Sequence, residues 1–263
     1  MDIKRTVGIA LGIATVMAAT AGDVAGQDDG AAIEAILDYS LVDNILGGQS
    51  AAFLMALSEV VGPSVDLEAA GVATVVAEEF APERMRDDVV GAMLQSALPV
   101  VVGEVSEMLR DGAIGQVSSL LAEYEPPESL EAFVDGLQRE GPPRERVELI
   151  ASLADAQQAA GFYLLLDERA RESAHEVAAA LTGGGSPEYE PLDEAVEMEQ
   201  LQRGFQFAIV SFLHRYRPVD DELVASATAE YETAPGQWYV ENYSLALAES
   251  IRLAALRVVE RVQ

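Results

Sequence analysis

Two histidines, His175 and His214, are the only side chains here that ordinarily titrate near neutral pH. His175 stands between Glu172 and Glu176 in a helix-forming stretch and reads as part of a solvated helix face. His214 is followed by Arg215 and Arg217 at the end of an aromatic-rich stretch. It reads as a cation at a helix C-terminus or a partly buried ring. The two do not share a His-x-x-x-His spacing, and no His-Glu-x-x-His run occurs, so neither recruits the other to a zinc site. The absence of cysteine removes disulfides, thiolate metal sites and cysteine nucleophiles together. Gly-x-Ser-x-Gly, phosphate-loop and dinucleotide-binding fingerprints are missing, and Gly183-Gly184-Gly185 lacks the lysine and strand of a phosphate site. The acid pairs Glu78-Glu79, Asp87-Asp88 and Asp220-Asp221 could hold cations loosely, but none has the EF-hand spacing. The expectation is therefore a protein that is not an enzyme, with no catalytic, cofactor-binding or metal-binding residues assigned and no cofactor.

Aromatic side chains are the remaining chemical resource, and half of them fall between Phe205 and Tyr243. Phe205 and Phe212 are seven residues apart and share a helix face. Both are expected in the core. Trp238, the one tryptophan, follows Pro235-Gly236 and is expected to anchor that corner. If the chain has a pocket or interaction surface, its candidate residues are Phe205, Phe212, Trp238, Tyr239 and Tyr243.

The elements that must position these residues read as helices. Ala, Leu, Glu, Gln and Arg dominate, and strand-like alternation is nearly absent. Expected helices run from about 31 to 46, from Asp66 to Phe80, from Pro82 with a Met85–Val89–Met93 stripe, and from Pro126-Pro127 to Leu137. Another starts at Pro142-Pro143, with Val147, Ile150 and Ala154 on one side. A last long helix carries Val240, Tyr243, Leu247, Ile251, Ala254 and Val258. The fold class is all-α: a multi-helix bundle, with two related helical halves packed together. The expected divisions are a signal peptide (1–21), a loose start (22–30), an N-terminal helical half (31–182), a Gly/Pro linker (183–190) and a C-terminal helical half (191–263).

The charge balance narrows the setting. With 45 acidic residues against 16 basic ones the net charge is −29, and Lys4 is the only lysine. Such a charge opposes compaction in dilute salt. At ~1 M salt the Debye length falls to ~3 Å and the repulsion is screened. This points to a halophilic protein. It also argues against nucleic acid and anionic membrane surfaces as partners, because both repel it. At the N-terminus, Lys4 and Arg5 precede a short apolar run from Val7 to Ala19, and Ala19-Thr20-Ala21 has the form of a cleavage site. The run is shorter than the ~20 residues that span a bilayer. Export to the periplasm or beyond is expected.

From Asp220-Asp221-Glu222-Leu223 through Tyr231-Glu232-Thr233-Ala234-Pro235-Gly236-Gln237, the sequence resembles the bacterial secreted helical proteins grouped as domain of unknown function twenty fifty-nine. The likeness covers roughly 194 to 261. Tyr231 stands where that family often has Phe-Tyr, and Thr233 where it often has Ser. The resemblance implies a periplasmic or secreted helical domain and carries over no catalytic or ligand residue. A weaker internal echo lays Met108–Gln116 against the segment ending at Gly236-Gln237. The leading functional expectation is a structural or interaction role in a high-salt envelope, with another envelope protein as partner and an oligomeric state the sequence leaves open. The alternatives are a binder of a small apolar ligand or lipid between helices and, last, a carboxylate-based hydrolase.

Overall fold

The computed structural model describes residues 25–40, 42–62, 65–68, 71–137, 139, 141–185 and 188–263. The signal peptide expected at 1–21 lies outside them. The described residues form an all-α bundle with no strand among them. In chain order the helices are α1 (Ala25–Tyr39), α2 (Val42–Leu46), α3 (Gln49–Val61), α4 (Val72–Glu79), α5 (Pro82–Ser96), α6 (Pro99–Asp111) and α7 (Ala113–Glu123). They continue as α8 (Leu130–Leu137), α9 (Arg144–Ala156), α10 (Ala159–Thr182), α11 (Glu194–Arg215), α12 (Asp221–Tyr231) and α13 (Ala234–Val262).

The longest helix, α13, is the axis of the bundle. Its stripe of Val240, Tyr243, Leu247, Ile251, Ala254 and Val258 is buried, facing α10, α5 and α4. Ala246, Ala248, Ala254 and Ala255 on the same helix are also buried. Small side chains there let neighbouring helices approach closely. On α5 the Met85–Val89–Met93 stripe is fully enclosed. One hydrophobic core runs from Ile33 to Val258 and draws on both halves of the chain. Gly183, at φ 63°, ends α10, and Asp193 caps α11 by accepting from the Ala195 and Val196 N–H groups. These two helices then pack against one another across the 183–190 connection. Among the described residues no single helix is long and apolar enough to cross a membrane.

Several boundaries differ from the sequence reading. The stretch expected to be loose from 22 to 30 is helical from Ala25, consistent with the helix-forming Ala25, Ala31 and Ala32. The expected 31–46 helix is two, α1 and α2, and the Ser40 hydroxyl donates to the Leu37 carbonyl at the break. The helix expected from Asp66 begins at Val72, and Asp66 accepts from Glu68 N–H in a local turn before it. The helix expected from Pro126-Pro127 starts at Leu130, where Ser129 accepts from Ala132 N–H. Asp220 does cap α12, accepting from Leu223 N–H at 2.7 Å.

Arginine ties the elements together. Arg86 on α5 bonds Glu34 and Asp38 of α1 and Asp43 of α2. Arg257 on α13 reaches Glu79 on α4 and Asp88 on α5. Twelve arginines among the described residues are ion-paired, six of them across elements and six within their own helix.

Candidate functional site

Two tight helix corners begin the site. At Thr233 the chain leaves α12 and enters α13. The Thr233 hydroxyl donates to the Glu230 carbonyl at 2.6 Å and accepts from Gly236 N–H at 3.2 Å. A Cβ at position 236 would sit 2.2 Å from the Glu230 carbonyl oxygen, so only glycine lets the two helices meet this closely. The α6–α7 corner repeats the arrangement, since a Cβ at Gly115 would sit 1.9 Å from the Leu109 oxygen. Each glycine is six residues beyond the carbonyl it meets and third in its helix. Glu230 links the corners: its carboxylate accepts from Ala113 and Ile114 N–H at 2.8 and 2.9 Å. It thereby satisfies two free donors at the start of α7 and complements that helix's dipole.

A third junction faces these corners. Between α9 and α10 the chain bends by 48°, and Gln158 adopts φ 50°. No other non-glycine residue described has positive φ. Left-handed backbone in such a residue costs about 1–3 kcal/mol and marks a junction held by its surroundings. Gln157 beside it donates from Nε2 toward the Tyr216 hydroxyl at 3.4 Å. Tyr216 follows α11. Arg146 donates to the Tyr216 and Val219 carbonyls at 2.7 and 3.0 Å, fixing the chain where α11 ends.

Between these junctions lies an open cleft of about 240 Å³. Leu109, Ile114 and Tyr231 come from the first two corners, and Gln157 and Ala159 from the third. Phe162 and Tyr163 of α10, Phe212 and Arg215 of α11, and Tyr239, Tyr243 and Ser244 of α13 complete most of the wall. The rings form a continuous surface. Tyr239 stacks on Tyr243 at 5.5 Å, Tyr243 lies parallel to Phe162 at 6.4 Å, and Phe162 meets Tyr163 edge-on at 5.5 Å. Phe212 and Tyr216 pair at 5.2 Å on another part of it.

Burial pushes the phenols of Tyr163, Tyr216, Tyr231, Tyr239 and Tyr243 above their ordinary value, most strongly at the enclosed ones. Tyr231 is only partly buried as a residue, so its shift reflects an enclosed hydroxyl end. All five are consequently protonated at neutral pH and can donate. Ser40 lies near enough to Tyr239 and Tyr243 to oppose the rise, yet the buried Tyr243 hydroxyl completes no hydrogen bond of ordinary geometry. The Arg215 charge opposes the rise at both Tyr163 and Tyr216, and all three side chains line the same cleft.

Of the five residues singled out from sequence, Phe212, Tyr239 and Tyr243 line the cleft. Phe205 instead packs against the small cluster of Ala154, Ala159 and Ala208, and Trp238 packs against the main core. Phe205 and Phe212 are partly buried rather than enclosed, because α11 lies at the rim and also shows Phe207 to solvent. The sequence reading passed over Phe162, Tyr163, Gln157, Arg215, Tyr216 and Tyr231.

The histidines lie elsewhere. His214 is buried, with Nε2 2.9 Å from the Glu128 carbonyl and its ring against Phe133. His175 meets Tyr189 edge-on. Glu172 precedes His175 at Glu-x-x-His spacing, but Arg169 holds that carboxylate at 2.5 Å. No group of three potential metal ligands occurs among the described residues. A second depression, beside Phe133 and Leu213, is edged by charges already paired, Arg146 with Asp221 and Arg217 with Glu128. Comparison of the chain with protein-family models, with curated proteins and with solved structures finds no match.

Proposed function

We propose that this protein is a binding module that takes up a small ring-bearing molecule in the cleft between α7, α10, α11 and α13. The observation that carries the reading is the cleft itself, an open space of about 240 Å³ walled by stacked aromatic rings. The lining mixes aromatic and aliphatic side chains with tyrosine and serine hydroxyls, Gln157 and Arg215, so it offers both a stacking surface and groups that can orient a ligand. The ligand binder that ranked second on sequence grounds therefore moves ahead of the structural or interaction role.

The setting proposed with it is an exported protein of a high-salt envelope. The charge of −29 and the N-terminal Lys4–Ala21 pattern support that. Membership of the secreted helical family twenty fifty-nine is part of the same proposal. Its support is the Thr233–Gln237 corner, where the capping threonine and close-packed glycine account for the shared motif.

The test is ligand-observed saturation-transfer NMR on the full chain with neutral single-ring compounds such as phenol and phenylacetamide. Wild-type protein should give a saturable signal. A Ser118→Phe variant, which fills the cleft from α7, should lose it while keeping its melting temperature. Absence of signal for every ring compound, or a signal that Ser118→Phe leaves intact, would remove the cleft as a binding site.

A further inference from the structure

Resting on that reading, we infer that the occupant is an anion: a single-ring aromatic carboxylate, held by Arg215 at one end of the cleft with its ring on the Phe162–Tyr243 wall. The first argument is charge. In a chain with 45 acids, no described residue lining the cleft is acidic. The one formal charge among them is the Arg215 guanidinium. Of the fourteen described arginines twelve are matched to carboxylates; Arg139 and Arg215 have no side-chain partner among the described residues, and of these two Arg215 lines the cleft. In so acidic a protein, a guanidinium left without a carboxylate beside an acid-free cleft is a vacancy for one.

The second argument is hydrogen-bonding polarity. Arg215 has donors only, and its charge is felt at the Tyr163 and Tyr216 hydroxyls. Both phenols stay protonated, and Tyr216 already accepts from Gln157, so its own O–H remains to be donated. This end of the cleft thus presents a guanidinium and phenol donors but no carboxylate acceptor. A ligand carboxylate supplies the acceptor lone pairs, and Arg pairs with carboxylates in a two-bond fork. Size fixes the rest. A dry cavity of ~150 Å³ holds benzene, so about 240 Å³ takes one ring with a short acidic arm.

Isothermal titration of the full chain with phenylacetate, phenylacetamide and acetate separates this inference from the reading beneath it. Phenylacetate should bind at least about tenfold more tightly than its neutral amide, and acetate should not bind measurably. Arg215→Gln should remove the preference, bringing phenylacetate to the affinity of the amide. Arg215 is exposed on α11, so that variant should keep the wild-type melting temperature. If phenylacetate and phenylacetamide bind equally well, or Arg215→Gln changes neither, the anion is wrong and the cleft stands. If neither ring compound binds the wild type, the cleft reading falls and this inference falls with it.

Discussion

Replacing Glu79 by Gln should loosen the bundle at one identifiable point. Glu79 closes α4, and its side chain is 4 % exposed. Its carboxylate takes Arg84 of α5, Arg257 of α13 at 3.1 Å and Arg261 of α13 at 2.7 Å. Arg257 also donates to the Glu79 carbonyl at 3.2 Å, so the contact joins side chain and backbone. Burial raises the carboxyl's pKa, but the bonds from Arg261, Arg84 and Arg257 outweigh it, and the net displacement is downward. Removing one partner of a buried ion pair costs ~3–5 kcal/mol. Here the arginines are 30 % to 55 % exposed, so water screens them. The cost should be nearer ~2–3 kcal/mol, about 4–12 °C in melting temperature for a chain of this size.

The pH dependence gives the sharper check. A carboxyl with a lowered folded pKa contributes stability that is complete above the ordinary glutamate value of ~4.3 and is lost as pH falls through the folded one. Thermal melts of wild type and Glu79→Gln from pH 7 to pH 3 should therefore show a gap that is constant down to about pH 5 and then narrows. Comparing the two proteins at each pH cancels the titration of the other acids. Equal melting temperatures at pH 7, or a gap that widens toward acid, would refute the reasoning.

Salt should stabilise the whole protein: melting temperature should climb with NaCl toward molar concentrations, because the excess acids repel over distances longer than the ~3 Å screening length reached there. A flat or falling midpoint would remove the halophile argument. Gly236→Ala should cost at least about 2 kcal/mol, since its Cβ would press into the Glu230 carbonyl, the Tyr231 Cα and the Tyr231 carbonyl. Gly103→Ala, in the exposed middle of α6 with open space around it, should instead gain about 0.5–1 kcal/mol. Urea unfolding of the pair measures both, and matching effects at the two sites would show that helix propensity, not the corner, governs Gly236.

The bundle was legible because it rests on local signals. Periodic stripes marked α5 and α13, and prolines marked the starts of α5 and α9. The cleft was not, because its residues are far apart in sequence. Ile114, Phe162, Phe212 and Tyr239 meet only when four helices pack. Gln158 shows why the third junction escaped notice: glutamine is a good helix former, and nothing in Ala156-Gln157-Gln158-Ala159 signals a 48° bend. Arg215 entered the sequence reading only as a neighbour of His214 near the end of α11. That it lacks a carboxylate partner is a tertiary fact.

The internal echo acquires a physical meaning at this point. Its two aligned segments are the α6–α7 and α12–α13 corners, and both glycines meet the carbonyl six residues earlier. These corners do not merely resemble each other, because they frame the same cleft. Leu109 and Ile114 line it from one, Tyr231 and Tyr239 from the other, and Glu230 bridges them by capping α7. Close-packed glycines set how near each pair of helices approaches, and that approach sets how far Tyr231 and Tyr239 stand from Ile114. The motif that a purely structural account assigns to turn chemistry therefore also sets the width of the cleft.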